Sequence, residues 1–257
     1  IKDMLDKTTK KMEIRNTDKI LLISNTGLIK LLDGFAFNAT TATISFEQIA
    51  FPQVVGFVPI SKELTHLALI TSAGYGKMIE LDDVLKSTKS KIINLPADDK
   101  LACVVPIYGK KDGLIVMAAN DRMYYTKLEE FPILKRQALG NRIIKVDPGT
   151  IQHAFLMSGP ADYIMIYGEF GYVKVVDARL LKFNKRKAAY IDLSGKEIMG
   201  AIPIDPQHMP YIYRDELGSE PFNIEIGNMV KFIQSDGTCT TKFRIGTSIS
   251  TPVKAIK

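Results

Sequence analysis

The sequence runs to 257 residues, 46% hydrophobic and 24% charged, with a formal net charge of +6. That balance supplies ample core and excludes a disordered chain. No apolar run approaches the roughly 20 residues that a membrane-spanning helix needs, and the basic bias suits a polyanionic partner without proving one.

Residues Ile1–Thr17 alternate Lys with Asp or Glu and read as a solvated lead-in. The chain opens on Ile1 with no signal-peptide pattern, so we expect a piece of a longer protein. Beyond the lead-in one motif returns about every 47 residues: an apolar run, a short polar turn, then Gly-x-apolar-Lys. Its copies are Ile20–Leu32, Leu67–Leu81, Leu114–Leu128, Tyr163–Val176 and Met229–Phe243. The turn positions Gly27, Gly74, Asp121, Gly171 and Gly237 are separated by steps of 47, 47, 50 and 66.

Each copy predicts a β-hairpin. β-branched and aromatic residues flank a turn built from Asn, Ser, Asp and Gly, the residues that tolerate tight-turn backbone angles. A lone hairpin buries too little surface to stand in water, whereas a series of them stacks around a common centre. Gln53–Ile60, Ala102–Ile107 and Ile198–Pro203 supply a further strand for their repeats, with Pro59, Pro106 and Pro203 at matching places. Asp205–Phe222, rich in Pro and turn residues, reads as a surface insertion. The prediction is an all-β fold: a lead-in over 1–17, then one propeller-like domain over 18–257. Its five four-stranded repeats span 18–60, 61–107, 108–156, 157–204 and 205–257.

Charge is unevenly spread. There is no Lys or Arg between Lys30 and Lys62, while Arg122, Lys127, Lys135, Arg136, Arg142 and Lys145 fall in the third repeat. Lys174, Arg179, Lys182, Lys185, Arg186, Lys187 and Lys196 fall in the fourth. Long cations on one rim either meet successive phosphates or form a solvated face. Lys30, Lys77 and Lys174 recur after the turn position, as repeat framework or as phosphate contacts. His66, His153 and His208 stand apart from any metal-spaced ligand set, and Asp82-Asp83 and Asp98-Asp99 follow strands as turn residues. No phosphate loop or nucleophile elbow is present, so neither a catalytic residue, a metal site nor a cofactor is expected. Cys103 and Cys239 sit in predicted strands as reduced, buried small hydrophobes, which fits a cytoplasmic origin.

Gly74-Tyr75-Gly76-Lys77, Gly171-Tyr172-Val173-Lys174 and the companion stretch Phe131–Arg142 resemble the blades of one family, the C-terminal domain of the A subunit of bacterial type IIA DNA topoisomerases. The resemblance to DNA gyrase and topoisomerase IV covers about residues 18–257, as repeat architecture more than identity. It implies a β-pinwheel whose outer rim binds and bends double-stranded DNA without sequence preference. It also implies a non-catalytic domain of an ATP-dependent enzyme, acting on the nucleoid beside the rest of the A subunit and the B subunit. Arg122, Lys127, Lys135, Arg136, Arg142, Lys174, Lys185, Arg186 and Lys187 are the DNA-binding candidates. Gyrase carries a basic glycine-rich box after its first hairpin; here Asp33–Pro59 holds no cation, and the nearest likeness is Lys135–Arg142. A topoisomerase IV-like or bacteriophage-like member therefore fits better than a wrapping gyrase. The alternative is a propeller that serves as a protein-interaction platform.

Overall fold

A computed structural model describes residues 18–34, 51–86, 90–109, 113–119, 122–157, 163–168, 173–177, 189–192, 198–204, 210–212, 222–223, 238–241 and 253–254. The lead-in, the turns at 120–121 and 169–172, the stretch 35–50 and Lys185–Lys187 lie outside them.

The strands follow in chain order. β1 (Lys19–Ser24), β2 (Ile29–Asp33) and β3 (Val54–Ile60) come first, then β4 (Leu64–Thr71), β5 (Tyr75–Glu80) and β6 (Leu101–Tyr108). β7 (Leu114–Ala119), β8 (Arg122–Lys127), β9 (Asn141–Arg142) and β10 (Ile151–Met157) are next. β11 (Tyr163–Gly168), β12 (Val173–Asp177), β13 (Ala189–Asp192) and β14 (Ile198–Ile204) precede the short β15 (Pro210–Ile212), β16 (Phe222–Asn223), β17 (Thr238–Thr241) and β18 (Val253–Lys254). A short helix, α1 (Leu81–Leu85), and a 3-10 turn (Leu128–Glu130) interrupt them.

The four hairpins β1–β2, β4–β5, β7–β8 and β11–β12 are antiparallel; the first, second and fourth share one register about the turn glycine, and β7–β8 is offset by one, pairing as far as Ala119 with Arg122. Leu22 faces Lys30, Leu69 faces Lys77, Met117 faces Tyr124 and Ile166 faces Lys174. The third strand of each unit pairs on the other side of the first, with Pro59 opposite Ile20, Pro106 opposite Leu67 and Pro203 opposite Ile164. Proline is tolerated there because this strand is a sheet edge, so its missing N–H breaks no ladder bond.

The fourth strand is exchanged. β9, which follows the third hairpin, pairs with β5 of the second blade. β13, which follows the fourth, pairs with β8 of the third. β17 pairs with β12 of the fourth blade. In the first blade the same place is taken by an isolated bridge of Lys91 to Leu28. The sheets therefore run β6-β4-β5-β9, β10-β7-β8-β13 and β14-β11-β12-β17, with three-stranded sheets β2-β1-β3 and β16-β15-β18 at the two ends of the series.

Two expectations change. Thr238–Thr241, the described part of the Met229–Phe243 copy, pairs with β12 at the edge of the fourth blade, and Met229–Gly237 lies outside the described residues. Asp205–Phe222, expected as a surface insertion, contributes strand to the fifth sheet, where Pro210–Ile212 pairs with Phe222–Asn223. Asp82 and Asp83 also open α1 rather than a turn, with Lys86 2.6 Å from Asp82 one helical turn on.

Side chains alternate across each strand, so each sheet offers two faces. Leu67, Leu69 and Ile79 pack with Leu21, Ile23 and Val58 of the first blade. Ala68, Ile70 and Met78 pack with Ile115 and Met117 of the third. Val116, Ala118 and Met123 pack with Ile164 and Ile166 of the fourth. At roughly 1.5–3 kcal/mol for each fully buried Leu or Ile, these interblade seams hold the array together. Cys103 is buried in one of them, as expected of a small hydrophobe.

Candidate nucleic-acid interface

The exchange moves the cations. Residues numbered in the third repeat edge the second blade, and Lys91, numbered in the second, edges the first. The basic segment Phe131–Arg142 clamps to β5 at several points. Met78 donates its N–H to Pro132 O at 2.8 Å, Leu134 donates to Met78 O at 2.9 Å, and Asn141–Arg142 pairs with Gly76 and Tyr75.

Lys77 anchors this segment from beneath. It is fully buried, and its Nζ donates to the carbonyls of Ile92, Lys135 and Arg136, each at 2.9 Å. It therefore ties together the segments that edge the first and second blades. Burial, with Arg136 adding a like charge, pulls its pKa down to about 8. Of the two readings open for the recurring lysine, framework holds at this position. Lys30, at the same hairpin place, is exposed. Lys174 lies in β12, with its side chain outside the described set.

The candidate residues divide accordingly. Arg136 is buried, with its guanidinium donating to the carbonyls of Asp83 at 3.1 Å and Val84 at 2.8 Å. It caps the end of α1 rather than presenting charge to the rim, and burial pulls its pKa down while Asp83 opposes the shift. Lys135 is exposed, 2.6 Å from the Asp83 carboxylate, which raises its pKa. Lys127 is exposed beside Glu129 at 3.1 Å. Such surface pairs are worth little, so both lysines exchange partners cheaply.

Arg122 and Arg142 are exposed, and each lies on a tyrosine. The Arg122 guanidinium is 4.9 Å from the Tyr190 ring centre and that of Arg142 is 5.5 Å from Tyr75. Sequence reasoning gave these tyrosines no role, because each arginine meets its ring through an exchanged strand. The sequence places Lys145 only within a charge cluster; the structure puts it beside Arg122 and Arg142 at one cavity.

Among the described residues no His, Cys, Asp and Glu cluster has metal-binding spacing. His66 is buried, His153 half-buried, and His208 lies outside the described residues. Asp99 is buried and accepts from Ser72 Oγ at 2.8 Å and Ala73 N at 3.0 Å, so it pins the second hairpin turn. No helix among the described residues is long and apolar enough to cross a membrane.

A family model described as the DNA gyrase C-terminal domain, beta-propeller, matches residues 65–106 and 114–156. No curated protein sequence matches the chain. Among solved structures the fold is similar to the C-terminal domain of DNA topoisomerase IV, with TM-score 0.69 and 17% identity over 95% of this chain and 80% of that one. It is similar to a DNA gyrase A C-terminal domain with TM-score 0.60 and 16% identity, over 77% and 70% of the two chains. The C-terminal domain of E. coli ParC gives TM-score 0.56 and 15% identity, over 74% and 83%.

Proposed function

We propose that this chain, whose second and third repeats match the model of the DNA gyrase C-terminal domain, binds and bends duplex DNA for a type IIA topoisomerase. It guides the transported duplex to a cleavage core carried elsewhere in the A subunit, and works with an ATP-driven B subunit. The observation that supports this most is the rim itself. Lys135, Arg142, Lys145, Arg122 and Lys127 are exposed along the outer edge of the second blade and the adjoining start and end of β8. Among the described residues no base-reading helix accompanies them, and on this reading the contacts are to phosphates and carry no sequence preference.

Duplex affinity should fall steeply with salt, by about 0.9 in log affinity per unit log salt for each phosphate contact. Neutralising Lys127, Lys135, Lys174, Lys185, Arg186 and Lys187 to Gln should flatten that slope, measured by fluorescence anisotropy from 50 to 300 mM salt. An unchanged slope would remove these residues from the interface. Failure of the chain to bind duplex DNA at all would favour a protein-interaction platform.

The arc is expected to bend DNA without a complete wrap. Bending 20–30 base pairs by 40–90° costs on the order of 1–6 kcal/mol, and a longer path needs anchors all round the rim. The first blade gains Lys91 by strand exchange, but Asp33–Pro59 still offers no basic box. Ligation of nicked circles with the bound chain should give little linking-number change. A positive shift of gyrase size would overturn this part of the proposal.

A further inference from the structure

One cavity straddles the junction of the second and third blades, with a volume of about 320 Å³. Arg142 enters it from the exchanged strand β9, Arg122 and Tyr124 from β8, and Lys145, Asp147 and Thr150 from the connection into β10. Three cations face one carboxylate, so the local field is positive. A concave wall concentrates such a field more than a flat rim does.

The two arginines are also held. Arg122 lies over Tyr190, whose ring is itself 5.5 Å from that of Tyr124, and Arg142 lies over Tyr75. A guanidinium stacked on a ring face keeps its N–H edge available and loses little freedom on meeting an oxyanion. The Arg142 Nη2 donates only a long 3.4 Å bond, to Val146 O, which leaves its other donors for a ligand. Buried Lys77 and Arg136 are spent on the framework; these three cations border open space.

We infer that this cleft is a built phosphodiester seat, which grips the sugar–phosphate backbone of DNA where the duplex crosses from the second blade to the third. The inference rests on the DNA-binding reading and adds to it a fixed point of contact. The rest of the rim supplies a diffuse field, and this junction sets where the backbone is held.

The test uses the whole chain with a 30-base-pair duplex, read by anisotropy across salt. Changing Arg122→Gln, Arg142→Gln and Lys145→Gln together should flatten the salt slope by about 2.7, at about 0.9 per contact. Lys62→Gln with Lys100→Gln, exposed cations that do not line the cleft, should change it by less than one contact for each lysine changed. Arg122→Lys with Arg142→Lys keeps the charge and should keep the slope, yet lose affinity several-fold, because lysine lacks the planar fork. If the wild-type chain binds and the triple variant keeps its slope, the seat is wrong and the DNA reading stands. Full affinity in the lysine variant would reduce the cleft to a general positive field and overturn the seat. Absence of duplex binding by the wild type would overturn both. Thermal stabilisation by inorganic phosphate at constant ionic strength, lost in the triple variant while the DNA slope is unchanged, would reassign the cleft to a free anion.

Discussion

Lys77→Met is expected to lower stability by about 2–5 kcal/mol at neutral pH, one of the two largest effects of any single change here. The Lys77 ammonium donates to three backbone carbonyls, and a hydrogen bond from a charged group is worth about 1.5–3 kcal/mol. Against this stands the cost of burying the charge. A pKa drawn from 10.5 to about 8, chiefly by burial and secondarily by Arg136, corresponds to on the order of 3 kcal/mol. The three bonds outweigh that cost, and methionine leaves the carbonyls without their donor.

The same shift fixes the sign of the pH dependence. Below about pH 8 both folded and unfolded chains hold the Lys77 proton, and the burial cost is fully present. Between about 8 and 10.5 the unfolded chain binds the proton more tightly, so this group makes stability rise with pH. Wild type should gain on Lys77→Met across that window, compared by urea unfolding at pH 7.5 and 9.5. A constant difference would show that Lys77 does not titrate there. Because Lys77 holds the backbone of Lys135 and Arg136, the variant should also bind duplex DNA more weakly at pH 7.5.

Gly74→Ala is expected to cost about 3–5 kcal/mol, where Gly109→Ala costs only about 1 kcal/mol. Both glycines have positive φ, 88° at Gly74 and 67° at Gly109, so both carry the strain of placing an L side chain there. They differ in their surroundings. A Cβ at Gly109 meets nothing within 4 Å, whereas one at Gly74 falls 2.4 Å from the carbonyl oxygen of Ile144. That backbone cannot retreat freely, since Ile143 and Ile144 both donate to Gly74 O, at 2.9 and 3.2 Å. Moving it strips β9 from the second blade and carries Arg142 away from the cleft. Urea unfolding of both variants, with duplex affinity beside it, checks this; equal losses at the two positions would sink the clash argument.

The positions of these residues show what was legible in advance. Turn chemistry and strand alternation are local, so Gly27 and Gly74 marked their hairpins, and the apolar stretches ending near Pro59, Pro106 and Pro203 marked the third strands. The all-β array followed from their spacing. The resemblance to topoisomerase C-terminal domains also rested on ordered local motifs, and the family match falls on the second and third copies.

What the chain alone left undecided was every contact made by strand exchange. A two-residue strand such as Asn141–Arg142 has no periodicity to read, and its partner, Tyr75–Gly76, lies more than sixty residues earlier. The same repeat motif places Lys77 under a covering segment and leaves Lys30 on the surface, because the difference comes from what crosses over each hairpin and not from the hairpin. Lys135 and Arg136 are neighbours in sequence, yet only Lys135 carries its charge to the rim. The amino-acid order thus determined the hairpins, their turns and their number to within the fifth. The tertiary structure decided which blade each cation edges and which cations are buried, since those depend on closing long loops to complete each sheet.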